Sequence, residues 1–168
     1  MHPEEFGIED AQISGKYLPE KYFKVQHARR RIQSLVTDTA SGKIIYAGTD
    51  VGIYRSEDSG KTWLQTNQGL FDQHIHSIVI DPKDSDTIYA GTGRGVFKSE
   101  DAGDTWSEWF DESAGLAHSK IYDLVLHPED SDILFSATDG GVFQSLDAGE
   151  NWEPVFTDQS IRIIKFSA

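Results

Sequence analysis

Ser56-Glu57-Asp58-Ser59-Gly60-Lys61-Thr62-Trp63, Ser99-Glu100-Asp101-Ala102-Gly103-Asp104-Thr105-Trp106 and Ser145-Leu146-Asp147-Ala148-Gly149-Glu150-Asn151-Trp152 are three versions of one octapeptide. Their tryptophans stand 43 and 46 residues apart. A fixed period of this length marks a chain built from repeated supersecondary units. The flanks repeat with the octapeptide. Ile75–Ser99 reads IHSIVIDPKDSDTIYAGTGRGVFKS and Ile121–Ser145 reads IYDLVLHPEDSDILFSATDGGVFQS. Ile32–Ser56, IQSLVTDTASGKIIYAGTDVGIYRS, is the same unit without the proline.

Each unit reads as four short strands. In the second, Ile75–Asp81 is apolar and β-branched. Pro82 presets φ for a turn that Asp84-Ser85-Asp86 completes. Thr87–Thr92 follows, and then Gly93-Arg94-Gly95 as a tight hairpin in which glycine accepts positive φ. Val96–Ser99 leads into the octapeptide, and Thr105–Phe110 is the last strand. Four strands per unit, with no long stretch of 3.6-residue period, predict an all-β chain of four-stranded antiparallel propeller blades. The expected organisation is a leader over 1–30, blades over 31–67, 74–110 and 120–157, and the first strand of an incomplete blade over 160–168. That is three and a half to four blades per chain. In the octapeptide, the Asp58, Asp101 and Asp147 carboxylates are placed to accept turn amides, and the glycines supply positive φ. Each tryptophan begins the last strand and folds over the hairpin. The motif therefore reads as a structural lock.

The bulk numbers narrow the function. The chain has 168 residues, 38% of them hydrophobic, and no cysteine, so disulfides, thiolate metal sites and a cysteine nucleophile are excluded. Its formal charge is −13. Residues 1–31 hold six Lys/Arg and five Asp/Glu; residues 32–168 hold nine and twenty-three. Such an acidic body repels phosphate backbones, so nucleic acid is not an expected partner. The run Arg29-Arg30-Arg31 is too short to change that. No segment approaches the length of a membrane span, and no apolar region follows Met1 as in a signal peptide. The compartment stays open. No cofactor or metal is expected.

The octapeptides, S-x-D-x-G-x-x-W intact three times across residues 32–156, resemble the BNR/Asp-box repeat family. That family comprises β-propellers of sialidases, xyloglucan-degrading hydrolases, sortilin-type receptors and photosystem assembly factors. The stretch DPKDSDTIYAGTGRGVFKSEDAGDTW looks most like the hydrolase and assembly-factor branches. The resemblance implies a mostly extracytoplasmic setting, and it implies Asp boxes on the rim away from the active face. A ring of six or more blades needs roughly 270 residues at this period. Only three units are complete here, so a homodimer closing one ring is expected. The leader bears on this. Phe23 stands nine residues before Ile32, as Trp152 stands nine before Ile161. Lys21–Gln26 then reads as the last strand of a blade that lost its box, with Ala11–Tyr17 beside it. The alternative is a partly helical leader.

By analogy with propellers, ligands bind where the fourth-to-first-strand connections and second-to-third-strand hairpins converge. Here those are Asn67–His74, Asp111–Lys120, Asp158–Ser160, Asp50–Gly52, Gly93–Gly95 and Asp139–Gly141. The candidate ligand-binding residues are His74, His76, Arg94, His118, Lys120 and Tyr122. His74 and His76 lie two apart and share a face, but no third metal ligand is spaced to join them. Asp81, Asp84 and Asp86 read as turn caps rather than a calcium site. Sialidase chemistry is disfavoured: Arg31-Ile32-Gln33 lacks the proline of the family's Arg-Ile-Pro signature, and Arg55, Arg94 and Arg162 are the only arginines outside the leader's run. A glycoside hydrolase needs two facing carboxylates, and no pair stands out, although Asp123 replaces Ser34 and Ser77 on an otherwise apolar strand. The function read from the sequence is a non-catalytic module that binds a protein or glycan. The alternative is a fragment or half of a carbohydrate-active hydrolase.

Overall fold

The computed structural model describes residues 31–38, 40–108, 115–116, 120–157, 161–162 and 164–165. Twelve strands form among them: β1 (Ile32–Thr37), β2 (Ile45–Thr49), β3 (Gly52–Ser56), β4 (Leu64–Gln65), β5 (Ile75–Ile80), β6 (Ile88–Thr92), β7 (Gly95–Ser99), β8 (Ser107–Glu108), β9 (Ile121–Leu126), β10 (Leu134–Thr138), β11 (Gly141–Ser145) and β12 (Glu153–Thr157). They make three antiparallel meanders of four strands, β1–β4, β5–β8 and β9–β12. The first strands of successive sheets lie against one another, β1 on β5 and β5 on β9. This is the arrangement of β-propeller blades, and the described sheets do not close a ring. The proposed leader over 1–30 and most of the strand over 160–168 lie outside the described residues.

Two of the three last strands, β4 and β8, hold only two residues each, whereas β12 holds five. β8 holds two residues where Thr105–Phe110 was expected, with 109 and 110 outside the described set. Trp106 precedes the strand because its amide donates to the Gln68 carbonyl of the neighbouring connection at 2.8 Å instead of pairing within its own sheet.

Two apolar cores fill the joints. Tyr46, Ile53, Leu70, Ile75, Ile78, Phe97 and Trp106 pack between the first and second sheets. Tyr89, Val96, Leu116, Ile121, Leu124 and Trp152 pack between the second and third. A register shift between Ile75 and Ser77 bulges β5. It lets Ile75 and Ile78, three apart, both face the sheet before: a Cβ built on Gly48 would stand 2.6 Å from Ile75 Cγ2 and 3.1 Å from Ile78 Cδ1. Gly91 meets Ile121 and Leu124 in the same way, at 2.6 and 3.4 Å. Only glycine lets the sheets approach this closely.

Polar groups repeat across the joints too. Ile78 N donates to Ser34 Oγ at 3.0 Å, and Leu124 N to Ser77 Oγ at 3.2 Å. Ser85 Oγ donates to Asp38 at 2.6 Å, and Ser131 Oγ to Asp81 at 2.7 Å. Tyr46 and Tyr89 hydroxyls donate to the carbonyls of Ala102 and Ala148 at 2.8 and 3.0 Å. Burial pushes Tyr46 up to about 12 and Tyr89 higher still. Asp38 is held far below the usual carboxylate range by the Ser85 hydroxyl and the amides of Ala40 and Ser41.

The three motif turns share one geometry. In the second, Ser99 Oγ donates to Asp101 Oδ1 at 2.8 Å and accepts the Gly103 amide at 2.8 Å. The Thr105 amide also donates to Asp101 Oδ1 at 2.8 Å. The sets Ser56/Asp58/Thr62 and Ser145/Asp147/Asn151 reproduce it. The turns need two positive φ values rather than one: Gly103 at 84° is preceded by Ala102 at 56°, and Ser59 and Ala148 match Ala102 at 62° and 55°. Trp63 and Trp152 close their own turns by donating Nε1 to Gly60 and Gly149 carbonyls at 3.0 Å. Trp106 departs from this, and its Nε1 donates across the joint to the Thr66 carbonyl at 2.9 Å.

Candidate functional site

The connection after β4 and the hairpins β2–β3 and β6–β7 meet at one end of the strands. The hairpins are built alike. Thr49 Oγ1 donates to the Gly52 carbonyl at 2.8 Å, Thr92 Oγ1 to Gly95 at 2.9 Å and Thr138 Oγ1 to Gly141 at 3.0 Å. The turn glycines at 52, 95 and 141 have φ of 117°, 130° and 122°, where a side chain would be strained. The anchoring threonines were not singled out in the sequence, though their threefold recurrence was there to see.

Between these elements lies an open cleft of about 730 Å³. Val51 and Asp50 come from the first hairpin, Gly93 and Arg94 from the second, and Phe71 to His74 from the connection. His76 on β5 and Lys120 just before β9 complete it. The structure thus brings together four of the sequence candidates, His74, His76, Arg94 and Lys120. Tyr122 joins them at the edge, with its ring 6.3 Å from that of His76. Lys120 Nζ stands 5.1 Å from the Tyr122 ring centre, and the Arg162 guanidinium 5.5 Å. His118 lies outside the described residues. So does most of the loop Asp111–Lys120, the expected binding loop. Its described Leu116 is wholly buried in the second core. Gly115 beside it packs on the Trp152 carbonyl.

The two histidines differ. His74 is exposed and tied to Asp72, whose Oδ1 accepts the His74 amide at 3.1 Å and faces its ring Nδ1 at 3.4 Å. His76 is half-buried. Burial, and then the Lys120 charge, hold it below the ordinary histidine value, so it stays neutral to lower pH. The cleft also holds groups not picked out from the sequence. Phe71 is 58% exposed and rests edge-on against buried Phe97, with ring centres 4.8 Å apart. Asp72 is buried, and the Asp50 Oδ1 is buried with no hydrogen-bond partner among the described residues.

Asp123 lies away from this cleft, on the first strand of the third sheet. Its carboxylate accepts Ser77 Oγ at 2.9 Å, the Leu124 amide at 3.0 Å and the Ile164 amide at 3.1 Å. It is a joint residue, placed as Ser34 and Ser77 are.

The family model for sortilin and Vps10, described as sortilin, neurotensin receptor 3, matches residues 52–167. The chain belongs to this family. No curated protein matches the sequence. Among solved structures, this sortilin-family chain is similar to an ancestral GH74 enzyme. The TM-score is 0.60 at 20% identity, over 74% of this chain and 18% of that one. The GH74 enzyme of Niastella koreensis gives 0.61 at 18% identity, over 77% and 23%. YCF48 from Cyanidioschyzon merolae gives 0.57 at 14%, over 76% and 38%. The chain spans less than half the length of each. At these identities the likeness establishes the propeller fold.

Proposed function

We propose that this chain is a non-catalytic β-propeller module that binds a protein or a glycan in the cleft between Phe71, His76, Arg94 and Lys120. The observation that carries the reading is the make-up of that cleft. It offers an exposed aromatic face beside two cations on a body that is otherwise acidic. A concave site that combines an aromatic face with several polar and charged groups suits recognition. A solved structure of YCF48 bound to a D1 peptide, with TM-score 0.54 to this chain, lends support to the protein ligand. The residues of the three motif turns are assigned a structural part. The ring is completed by a second copy of the chain. Immobilised peptides and oligosaccharides test the binding. A ligand held by the unaltered chain is lost with Arg94→Glu and Lys120→Glu together and kept with Lys83→Glu, which sits at the opposite end of the strands. Equal loss with both would remove the cleft from the account. Light scattering at several concentrations tests the ring: a mass of twice 18.8 kDa is expected, and 18.8 kDa throughout overturns the dimer.

One observation favours hydrolysis as a second reading. Asp50 and Asp72 line the same cleft, and glycoside hydrolysis uses two carboxylates. Turnover of xyloglucan or a sialyl conjugate that disappears with Asp72→Asn would replace the binding module with an enzyme.

A further inference from the structure

The face of the first sheet turned away from the second is covered unevenly: Ala47 and Tyr54, which lie beside Leu35 in the register, are 5% and 3% exposed, but the first strand is not covered by any described sheet. Ile32 and Leu35 are 64% and 62% exposed. Their equivalents are sunk into the sheet before them: Ile75 and Ile78 at 0% and 2%, Ile121 and Leu124 at 0% and 2%. Chemically alike residues, at the same register of the same unit, are covered twice and uncovered once. The two covered faces describe the missing occupant. Each is met by a buried apolar residue of a third strand, Ile53 in one joint and Val96 in the other.

Charge adds a second requirement. In the first joint, Arg55 of the first sheet pairs with Asp104 of the next motif turn at 2.7 Å. The third turn keeps an acid there, Glu150, and the second sheet keeps a cation in Arg55's place, Lys98. The first turn breaks the pattern, because its residue is Lys61. Whatever covers Ile32 and Leu35 must therefore present no cation at the position of Arg55 and Lys98.

Residues 1–31 lead in sequence directly to its first strand, which begins at Ile32. Within them Ile13 stands ten residues before Phe23. Ile53 stands ten before Trp63, Val96 ten before Trp106 and Val142 ten before Trp152. In that alignment Gly15 falls at the place of Arg55 and Lys98, which is the uncharged residue that Lys61 requires. The C-terminal stretch makes a comparable contact on the third sheet. Ile161 N donates to the Thr138 carbonyl at 3.1 Å and Ile164 N to Asp123 at 3.1 Å, so this stretch sits on the third sheet as β9 sits on the second.

We propose that residues 13–26 dock on the face of the first sheet of their own chain that carries the exposed Ile32 and Leu35, with Ile13 over these two and Gly15 opposite Lys61. This goes beyond the binding reading and holds whether or not a second copy completes the ring.

The chain has no cysteine, so single cysteines report coverage cleanly. In the full chain, Leu35→Cys is expected to react with a thiol reagent at least tenfold more slowly than Glu129→Cys at an exposed turn. Adding Gly15→Lys or Ile13→Asp to Leu35→Cys should raise its rate at least fivefold. Ile78→Cys should stay slow in both backgrounds, which shows that the joints remain folded. If Ile13→Asp unfolds the chain, seen as fast labelling of Ile78→Cys, the milder Gly15→Lys decides alone. Leu35→Cys reacting as fast as Glu129→Cys in the otherwise unaltered chain overturns the proposal. Protection that Gly15→Lys leaves unchanged also overturns it and points to a second copy or another segment as the cover.

Discussion

The joints between sheets and the cleft at the strand ends come from the same repeat, yet they treat equivalent positions in opposite ways. In the joints the first two units agree: Ser34 with Ser77, Asp38 with Asp81, Tyr46 with Tyr89, Gly48 with Gly91. At the cleft end the three units disagree. Arg31 answers to His74 and Lys120, Gln33 to His76 and Tyr122, and Val51 to Arg94 and Gly140. Joint positions are bound by close approach, because each must fit the next sheet at the same distance. Residues at the strand ends face solvent and are free to specialise. The third unit sharpens this. On its outer face Tyr gives way to Phe135, Asp to His127 and Gly to Ala137, so the surface beyond it is not a copy of the two joints described.

The largest effect should come from filling a joint. A Cβ at Gly91 would stand 2.6 Å from Ile121 Cγ2, on a side chain that is itself fully buried. Gly91→Val should therefore destabilise by about 3 kcal/mol or more through overpacking. Gly140→Ala at the cleft end meets nothing among the described residues nearer than 3.7 Å and should change stability by less than about 0.5 kcal/mol. Urea midpoints compare the two, and similar losses would erase the distinction between joint and strand end.

Next comes the motif turn. Asp101→Ala leaves the amide of Thr105 and the hydroxyl of Ser99 without their acceptor, at a cost of about 1–3 kcal/mol. Glu100→Ala beside it should cost little. Acid should weaken the same turns and the first joint. Asp38, Asp58, Asp101 and Asp147 are held below their ordinary value: Asp38 by Ser85 and its turn amides, the other three by a hydroxyl or amide partner and turn amides that outweigh burial. Their contribution is complete above the unfolded value of 3.8 and fades as pH falls toward the native values. A stability profile that stays flat below pH 4 would contradict this.

A smaller step separates the two kinds of joint residue. Tyr89→Phe removes the donor to the Ala148 carbonyl and should cost about 1 kcal/mol. Phe135→Tyr, at the same position one sheet on, should gain less than that. An equal effect of opposite sign would mean that the face beyond the third sheet is joined like the others.

What could be read in advance follows the same division. The period, the apolar strands and the Ser-x-Asp-x-Gly turns are local patterns, so sheet order and turn positions were visible in the residues. Why glycine must stand at 48 and 91 was not visible, because its reason is an isoleucine in another sheet. The second positive φ at Ser59, Ala102 and Ala148 was hidden for a different reason: these residue types do not announce it. In the cleft, His74, His76, Arg94 and Lys120 stood out as charged or titratable residues in connections or, for His76, at a strand's start. Phe71 and Asp72 did not, since an apolar ring and one more acid in an acidic chain carry no signal until the fold brings them to one wall.

The smallest expected effect on stability lies at His76. Burial is the main cause of its lowered value, Lys120 adds repulsion, and His74 adds a little more against the pull of Asp72. Below the ordinary histidine value of 6.5 the unfolded chain binds a proton that the folded chain at first refuses. Folded stability therefore declines as pH drops from 6.5 toward the native value, and is unaffected above 6.5. His76→Gln should leave the urea midpoint at pH 7.5 within about 0.5 kcal/mol of the unaltered chain and flatten the profile between pH 6.5 and 5. Lys120→Ala in the unaltered background should flatten it less, because it removes the weaker of the two main causes. A larger response to Lys120→Ala than to His76→Gln would show that the cleft's charge, rather than the buried ring, sets its behaviour. It would then move the cleft from the side of the specialised surface to that of the structural joint.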